Sequence, residues 1–502
     1  MTEARPETRN GVFLAGGAAI LAALVAFAVV PLAGRFSEIH RMPPAHDWVH
    51  YGLPAWHSPA FFWVANLAFA VVLVAFVRGR RPTMRLTVGV GLTLTALALV
   101  VPPVTSFDIY AYSFYGKVQA VYHANPYLVT PSQFTSDPWY AWWPWRDMPA
   151  VYGPVFLGFL RLLVSLTMGT LLATVVALKV ASTAALVCGT LLLTKAVPPG
   201  VDRRWPVLLL LWNPMAILAV GVGAHVDGFL VLLVGAALYA HRKVRPGWAF
   251  AALCTAGSVK IYLLALPALY AVWWLSQAPP ERRLRLWART AAVGALLVAG
   301  PYIPYWRGTR TLRPIVDVAG GFTASPAGFV RNTVALLVYV PGMHRHTAFA
   351  LAAGFARSLA VAAVLAAFVW ACVRLRRERE PWKVIATYSL AYFFAAPWVY
   401  YWHTLPLVVI VACLPWSPVT AAALLLGGFL VNDFSLLSAF PKRSRTVAWL
   451  WANMTARSAA RYLPAAGALL LRKRPPRPIA DPDLPTAGGA HGGGAPASTA
   501  KL

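Results

Sequence analysis

LTVGVGLTLTALALVVPP, residues 86–103, runs almost directly into SFDIYAYSFYGKVQAVYHANPYL, residues 106–128. The first stretch carries no charge and has about the length of a membrane helix. The second opens on an acid, Asp108, followed by Tyr110, Tyr112, Phe114 and Tyr115. A carboxylate at the exit of a bilayer costs free energy unless water or a partner satisfies it. Asp108 therefore reads in two ways. It is either an acid capping a helix at headgroup depth or an acid kept for chemistry.

The same alternation of apolar run and short polar turn extends along all 502 residues, of which 59% are hydrophobic and 12% charged. Soluble domains are about 25% charged. The composition thus excludes an ordinary soluble enzyme and implies an all-α, polytopic transmembrane helix bundle. A net charge of +28 would suggest nucleic acid in a soluble chain. Here the basic residues sit in short blocks between apolar runs, as cytoplasmic loops do. No nucleic-acid partner is expected. Cys188, Cys254, Cys372 and Cys413 lie inside apolar runs without metal-ligand spacing, so no disulfide is expected. Residues 11–33 are longer than a signal-peptide core and read as an uncleaved anchor.

A cytoplasmic N-terminus makes the pattern consistent. Apolar segments then fall at 11–33, 60–77, 86–101, 171–196, 206–222, 228–240, 248–258, 261–274, 290–305, 348–373, 384–401, 405–414, 420–432 and 447–471. That is about 13–14 helices, the shorter ones being candidates for broken or re-entrant spans. The blocks RGRRPTMR, VDRRW, HRKVR, ERRLRLWAR, VRLRRERE and RKRPPRP all fall on the cytoplasmic side, as does the C-terminus. Residues 1–471 form one transmembrane domain with two long outer loops, 105–154 and 306–346. Residues 155–168 read as a helix lying at the outer interface. Residues 472–502, rich in Pro, Gly and Ala, are expected to be a disordered cytoplasmic tail.

Unusual residues gather on the outer side. The first loop holds Asp108, Tyr110, Tyr112, Asn125, Asp137, Trp139, Trp142, Trp143 and Asp147 and ends in AVYGP with Tyr152. The second holds Arg307, Arg310, Arg313, Asp317, Arg331 and His344; smaller turns carry His225 with Asp227, His403, and Asp433 with Lys442, Arg443 and Arg445. The two basic clusters depart from the positive-inside pattern. They read either as headgroup contacts or as a seat for a lipid phosphate. Lys260 interrupts the apolar run TAGSVKIYLL. It either snorkels to the interface or serves a site. His225 and Asp227 either solvate a turn or act as a pair.

DIYAYSFYG, then NPY, then YGP ahead of the next apolar run resemble polyprenyl-phosphate-dependent membrane glycosyltransferases of the GT-C superfamily. GAHVDGFLVLLVGAAL, SVKIYLLALPAL and, more loosely, APWVYYWHTLP extend that resemblance over most of the chain. The nearest group is the actinobacterial α-(1→6)-mannopyranosyltransferases of the MptA/MptB type, with the related glycosyltransferase family 87. Val226 and Ile261 depart from the Asn and Pro usual at those positions. The resemblance implies a bacterial plasma-membrane enzyme of cell-envelope or lipoglycan assembly. It would transfer a sugar, mannose first, from a polyprenyl-phosphate donor to a glycan or glycolipid acceptor at the outer face. It also implies Asp108 as general base and inversion at the anomeric carbon.

Carried onto this chain, Lys260, Arg331, Arg307, Arg310, Arg313 and His403 are candidates for the donor phosphate. His225, Asp227, Tyr110, Tyr112, Asn125 and Tyr152 are candidates to hold the acceptor or support Asp108. Trp139, Trp142 and Trp143 offer stacking surfaces, or belong to an interfacial aromatic belt. No cofactor is expected. Asp108, Asp137, Asp147 and Asp227 could gather a divalent metal, but nothing in their spacing requires one. Three other readings stay open: a relative using glucose, galactose or arabinose, a transporter or flippase of a lipid-linked glycan, and a non-catalytic scaffold. A transporter would place polar residues at the midplane in paired repeats. Here they collect on one face and no repeat is evident.

Overall fold

The computed structural model describes residues 6–30, 57–104, 106–142, 145–339, 344–427 and 447–470. Trp143, Asp433, the Lys442/Arg443/Arg445 cluster and the tail from residue 472 lie outside the described residues. Within them the chain is a helix bundle without a strand.

The N-terminal third contains α1 (Pro6–Leu24), α2 (His57–Val77), α3 (Met84–Leu99), α4 (Asp108–Ala120) and α5 (Pro154–Leu166). Thr83 caps α3, its hydroxyl accepting from the Leu86 N–H at 3.2 Å. Pro102 and Pro103 follow that helix and cannot continue it. The segment expected as the first outer loop is thus partly helical, with Asp108 as the first residue of α4 rather than a loop residue. A carboxylate suits that place, where the helix dipole is positive. Pro154 opens α5 at the position where a missing N–H is harmless. α5 packs on α4 through Phe156, Leu157, Leu160 and Val164 and leaves Leu162, Leu166 and Met168 exposed. That one-sided pattern fits a helix lying along an interface.

The centre is built from α6 (Leu171–Ala196), α7 (Arg204–Leu211), α8 (Pro214–Val222) and α9 (Asp227–Arg242). Asn213 and Pro214 break α7 from α8, which bend by 52°. The Asn213 side chain accepts the Met215 N–H at 2.9 Å and caps the new start. α6 and α9 approach through small residues. A Cβ on Gly228 would lie 2.5 Å from the Ser182 carbonyl oxygen, and one on Gly189 would lie 2.7 Å from the Leu232 backbone nitrogen. Close backbone contact of this kind holds helices together where lipid removes the hydrophobic driving force.

The remainder comprises α10 (Pro246–Val259), α11 (Ala265–Gln277), α12 (Pro280–Tyr305), α13 (Arg313–Ala319), α14 (Pro326–Val338), α15 (Arg345–Leu375), α16 (Trp382–Ala395), α17 (Tyr401–Val411), α18 (Pro418–Gly427) and α19 (Val447–Leu470). Among the described residues four helical stretches are long and apolar enough to cross a membrane, Asn10–Val29, Leu171–Ala196, Pro280–Tyr305 and His346–Leu375, and a fifth if the bent α7–α8 pair is one span. Shorter apolar helices accompany them. α15 shows Leu351, Phe355, Leu359, Leu365 and Val369 to its surroundings, the surface expected against lipid. The chain is an integral membrane protein. The apolar run at 384–401 is not one helix. α16 stops at Ala395 and Ala396 is extended, with ψ 132°. Pro397 enforces this, because a residue before proline avoids helical geometry.

Candidate active site

The Asp108 side chain is 11% exposed and takes three contacts on one oxygen. The Tyr112 and Tyr152 hydroxyls each donate to Oδ2 at 3.3 Å, and His225 Nδ1 lies 3.3 Å from the same atom. Tyr112 reaches it from one turn further along α4. Burial alone would push this carboxyl up. The close contact with His225 and the charge of Lys260 outweigh it, holding Asp108 below the usual carboxylate range. It is therefore ionised at neutral pH and able to accept a proton.

His225 is placed by a strained turn. Ala224 has φ +49°, a left-handed conformation that costs about 1 kcal/mol or more for a residue with a Cβ. The turn closes when the His225 N–H donates to the Ala219 carbonyl at 3.0 Å. Ser182 of α6 donates to the His225 carbonyl at 2.7 Å. The imidazole is fully buried and stacks on Trp402, centroids 3.9 Å apart. Neither ring nitrogen has a hydrogen-bond partner, Nδ1 meeting Asp108 only as the 3.3 Å ion-pair contact.

Two residues on, Asp227 opens α9, again at the positive end of a helix. Lys260 ends α10, and its ammonium donates to Asp227 Oδ2 at 2.7 Å. The pair is almost completely buried, at 10% and 0% side-chain exposure. Asp227 Oδ1 has no partner. Asp227 Oδ1 and the His225 ring nitrogens thus lack the hydrogen-bond partners that buried polar atoms almost always have.

The NPY and YGP motifs hold Tyr152 in place. The Tyr127 hydroxyl donates to the Tyr152 carbonyl at 2.7 Å. Asn125 donates to the Tyr305 carbonyl at 2.7 Å and accepts the Tyr127 N–H at 3.1 Å. The Gly153 N–H donates to the Val259 carbonyl at 2.9 Å. A Cβ at Gly153 would lie 2.0 Å from the Ser258 carbonyl oxygen. Only glycine lets this strand of chain reach the end of α10, and that contact brings Tyr152 and Lys260 to one place.

Of the other sequence candidates, His403 packs beside this cluster, its ring 6.0 Å from that of Trp402, and the rest are engaged elsewhere or exposed. Asn125 is engaged with backbone. Tyr110 packs against Trp142 at 5.4 Å, and Trp139 lies under the Lys117 ammonium at 4.3 Å; both tryptophans are buried in that packing. Asp137 is bound by Lys117 at 2.7 Å and by the Trp139 N–H at 2.7 Å, and the Tyr122 hydroxyl donates to it at 2.5 Å. Asp147 is exposed. Among the described residues no group of three His, Cys, Asp or Glu could hold a metal ion. Arg307, Arg310 and Arg313 are exposed, Arg313 lying 3.7 Å from Asp317. Arg331 donates through Nε and Nη2 to Asn332, at 2.9 and 2.7 Å, and lies over Phe322 at 4.7 Å. His403 faces inward: its Nδ1 accepts the Tyr400 N–H at 3.3 Å and its carbonyl accepts from Tyr262 at 3.0 Å.

Two cations that the sequence reading passes over are prominent here. Lys179 of α6 donates to the carbonyls of Ala98, Val101, Gly221 and Val222 at 3.2, 2.9, 2.7 and 2.8 Å. It caps α3 and α8 at once, the segments that lead to Asp108 and to His225. Arg461 of α19 is buried and donates to the Val399 carbonyl at 2.6 Å. Both sit in apolar spans, and a charge within such a span was the available signal.

The family model described as alpha-(1->6)-mannopyranosyltransferase, N-terminal domain, matches residues 13–276. That is more than half of the chain, and it includes Asp108, Tyr112, Tyr152, Lys179, His225, Asp227 and Lys260. No curated protein and no solved structure matches the chain.

Proposed function

From the premise that the chain belongs to the alpha-(1->6)-mannopyranosyltransferase family and is a membrane glycosyltransferase, we propose that it takes mannose from a polyprenyl-phosphate donor and passes it to a cell-envelope glycan or glycolipid at the outer face, with inversion. The reading rests on one observation above all: a nearly buried Asp108 contacted by His225, Tyr112 and Tyr152 at the start of a helix.

A sugar hydroxyl is a weak nucleophile, and a positioned base accelerates its attack by about 10²–10⁴-fold. Asp108 accepts the proton of the acceptor hydroxyl. The acceptor oxygen bonds to the anomeric carbon as the bond from that carbon to the phosphate oxygen breaks. The electron pair leaves with polyprenyl phosphate. A β-linked donor then gives an α-linked product. A phosphate leaving group needs charge stabilisation rather than a proton, so one carboxylate suffices.

His225 and the two tyrosines hold Asp108 in position. His225 Nε2 and Asp227 Oδ1, unpaired by protein, are the groups left for sugar hydroxyls. Lys260 is committed to Asp227 and acts as part of that pair rather than as a lone phosphate ligand. The outward orientation rests on the positive-inside placement of the basic blocks.

The test uses purified protein in lipid, polyprenyl-phosphate mannose and a short α-mannoside. Wild type transfers mannose, and Asp108→Asn, with unchanged thermal unfolding, does not. Transfer surviving in Asp108→Asn removes the base assignment. Failure of wild type with polyprenyl-phosphate mannose, alongside transfer from another sugar donor, removes the donor assignment.

A further inference from the structure

Four Lys or Arg side chains are buried among the described residues: Lys179, Arg204, Lys260 and Arg461. Three are satisfied. Lys179 has four carbonyls, Arg204 has Asp202 at 2.9 Å, and Lys260 has Asp227 at 2.7 Å. Arg461 is the exception. It is 4% exposed, its guanidinium lies 5.6 Å from the centre of the Tyr462 ring, and only its Nη1 makes a hydrogen bond, with the Val399 carbonyl. Its Nε and Nη2 are buried without a partner. No carboxylate among the described residues pairs with it. A guanidinium left this way is expensive in a low-dielectric interior.

Which atoms are unpaired matters. Nε and Nη2 form the edge of the guanidinium that grips an oxyanion with two parallel N–H bonds. The carbonyl occupies the other end and fixes the direction of the fork. The surroundings hold α19 in register. Ser458, one turn earlier, donates to the Ser325 carbonyl at 3.1 Å. Thr323 donates to the same Val399 carbonyl at 3.1 Å and accepts the Val399 N–H at 2.9 Å. From Val399 the chain passes to Trp402, whose ring stacks on His225, which touches Asp108. The charge of Arg461 also acts on His403. The unpaired fork therefore adjoins the segment that forms one wall of the candidate site.

We infer that Arg461 is the seat of a phosphate-ester oxyanion, the phosphate that carries the transferred sugar, gripped through the Nε–Nη2 edge. The inference rests on the proposed lipid-phosphate donor and adds the residue that receives the charge as the phosphate leaves. The seat lies beyond the matched N-terminal domain, in the last described helix.

The test measures binding of polyprenyl phosphate to the full chain in lipid, and transfer kinetics, for wild type, Arg461→Lys and Arg461→Met. Arg461→Lys keeps the charge and loses the fork. It should weaken polyprenyl phosphate binding and raise the donor KM about 10- to 100-fold, leaving the acceptor KM unchanged. Arg461→Met should weaken both further. It should also unfold at the same or a higher temperature, because it removes an uncompensated buried charge. A structural arginine would do the opposite, losing stability with donor KM unmoved. Added polyprenyl phosphate should raise the unfolding temperature of wild type and not of Arg461→Met.

Equal binding of polyprenyl phosphate by all three proteins overturns the inference and leaves the donor reading standing. Loss of phosphatidylglycerol or inorganic phosphate binding in the variants, with polyprenyl phosphate binding intact, makes Arg461 a headgroup or free-anion contact and also overturns it. Wild type that transfers mannose from another donor and binds no polyprenyl phosphate removes both readings together.

Discussion

Asp108 and Asp137 are both buried acids of the segment between α3 and α5, and they are held in opposite ways. Asp137 is saturated, with a lysine at 2.7 Å, a backbone N–H at 2.7 Å and a tyrosine at 2.5 Å. All three partners come from within about one loop of it. Asp108 has three neighbours, each at 3.3 Å and all on one oxygen, and its histidine comes from a different part of the chain. A carboxylate that staples a loop is gripped by short, charge-assisted bonds. The contacts on Asp108 are longer and leave its second oxygen without a side-chain contact of that kind, which is the arrangement the proposed base requires.

That contrast can be broken by substitution. Asp108→Asn should reduce transfer about 10²–10⁴-fold while stability changes by less than about 1 kcal/mol; initial rates and thermal unfolding of the same preparation decide it. Next in size is Lys260→Met, which strands Asp227 in the interior and should cost about 3–5 kcal/mol. Unfolding in detergent reads this, and adding Asp227→Asn to that variant should recover much of the loss. A loss no larger than that of an exposed lysine would mean the pair is not the buried contact described.

Asp137→Asn should behave as the mirror of Asp108→Asn, losing about 1–3 kcal/mol of stability with kcat retained. If it abolished transfer in a folded protein, the division of labour between the two acids would fail. Smallest is Tyr152→Phe. Its hydroxyl is a long contact, so transfer should fall less than about tenfold, with stability within about 1 kcal/mol. A loss as deep as that of Asp108→Asn would recast Tyr152 as a participant in proton transfer.

Much of the helix bundle was legible in the sequence, because uncharged runs near 20 residues have one stable solution in lipid. The exception at 384–401 follows from Pro397, a local signal hidden inside an apolar run. Asp108, His225, Asp227 and Lys260 stood out as polar residues interrupting apolar surroundings, and the structure brings them together. Their meeting was not legible, since each lies on a different turn or helix and only glycine contacts such as that of Gly153 close the distance. Nor could the sequence separate Asp137 from Asp108, because a lysine twenty residues away along the chain decides the matter. Asn125 looked like a site residue. It is a backbone tie, which asparagine supplies equally well. Arg461 was passed over, because its burial and unpaired edge, which set it apart, do not show in the apolar run that holds it.

The carbonyls around Lys179 also carry a consequence for how the protein is made. A chain enters the membrane in order, N-terminal helices first. When α6 arrives, the carbonyls of Ala98 and Val101 already exist. Those of Gly221 and Val222 lie 42 and 43 residues further on and have yet to be synthesised. For that interval the ammonium has half its acceptors, in a setting where a lone lysine costs about 2.5–3.5 kcal/mol. Arrival of α8 completes the set and draws the ends of α3 and α8 together. Assembly of the Asp108–His225 cluster thus waits on a bent helix that contributes no side chain to it.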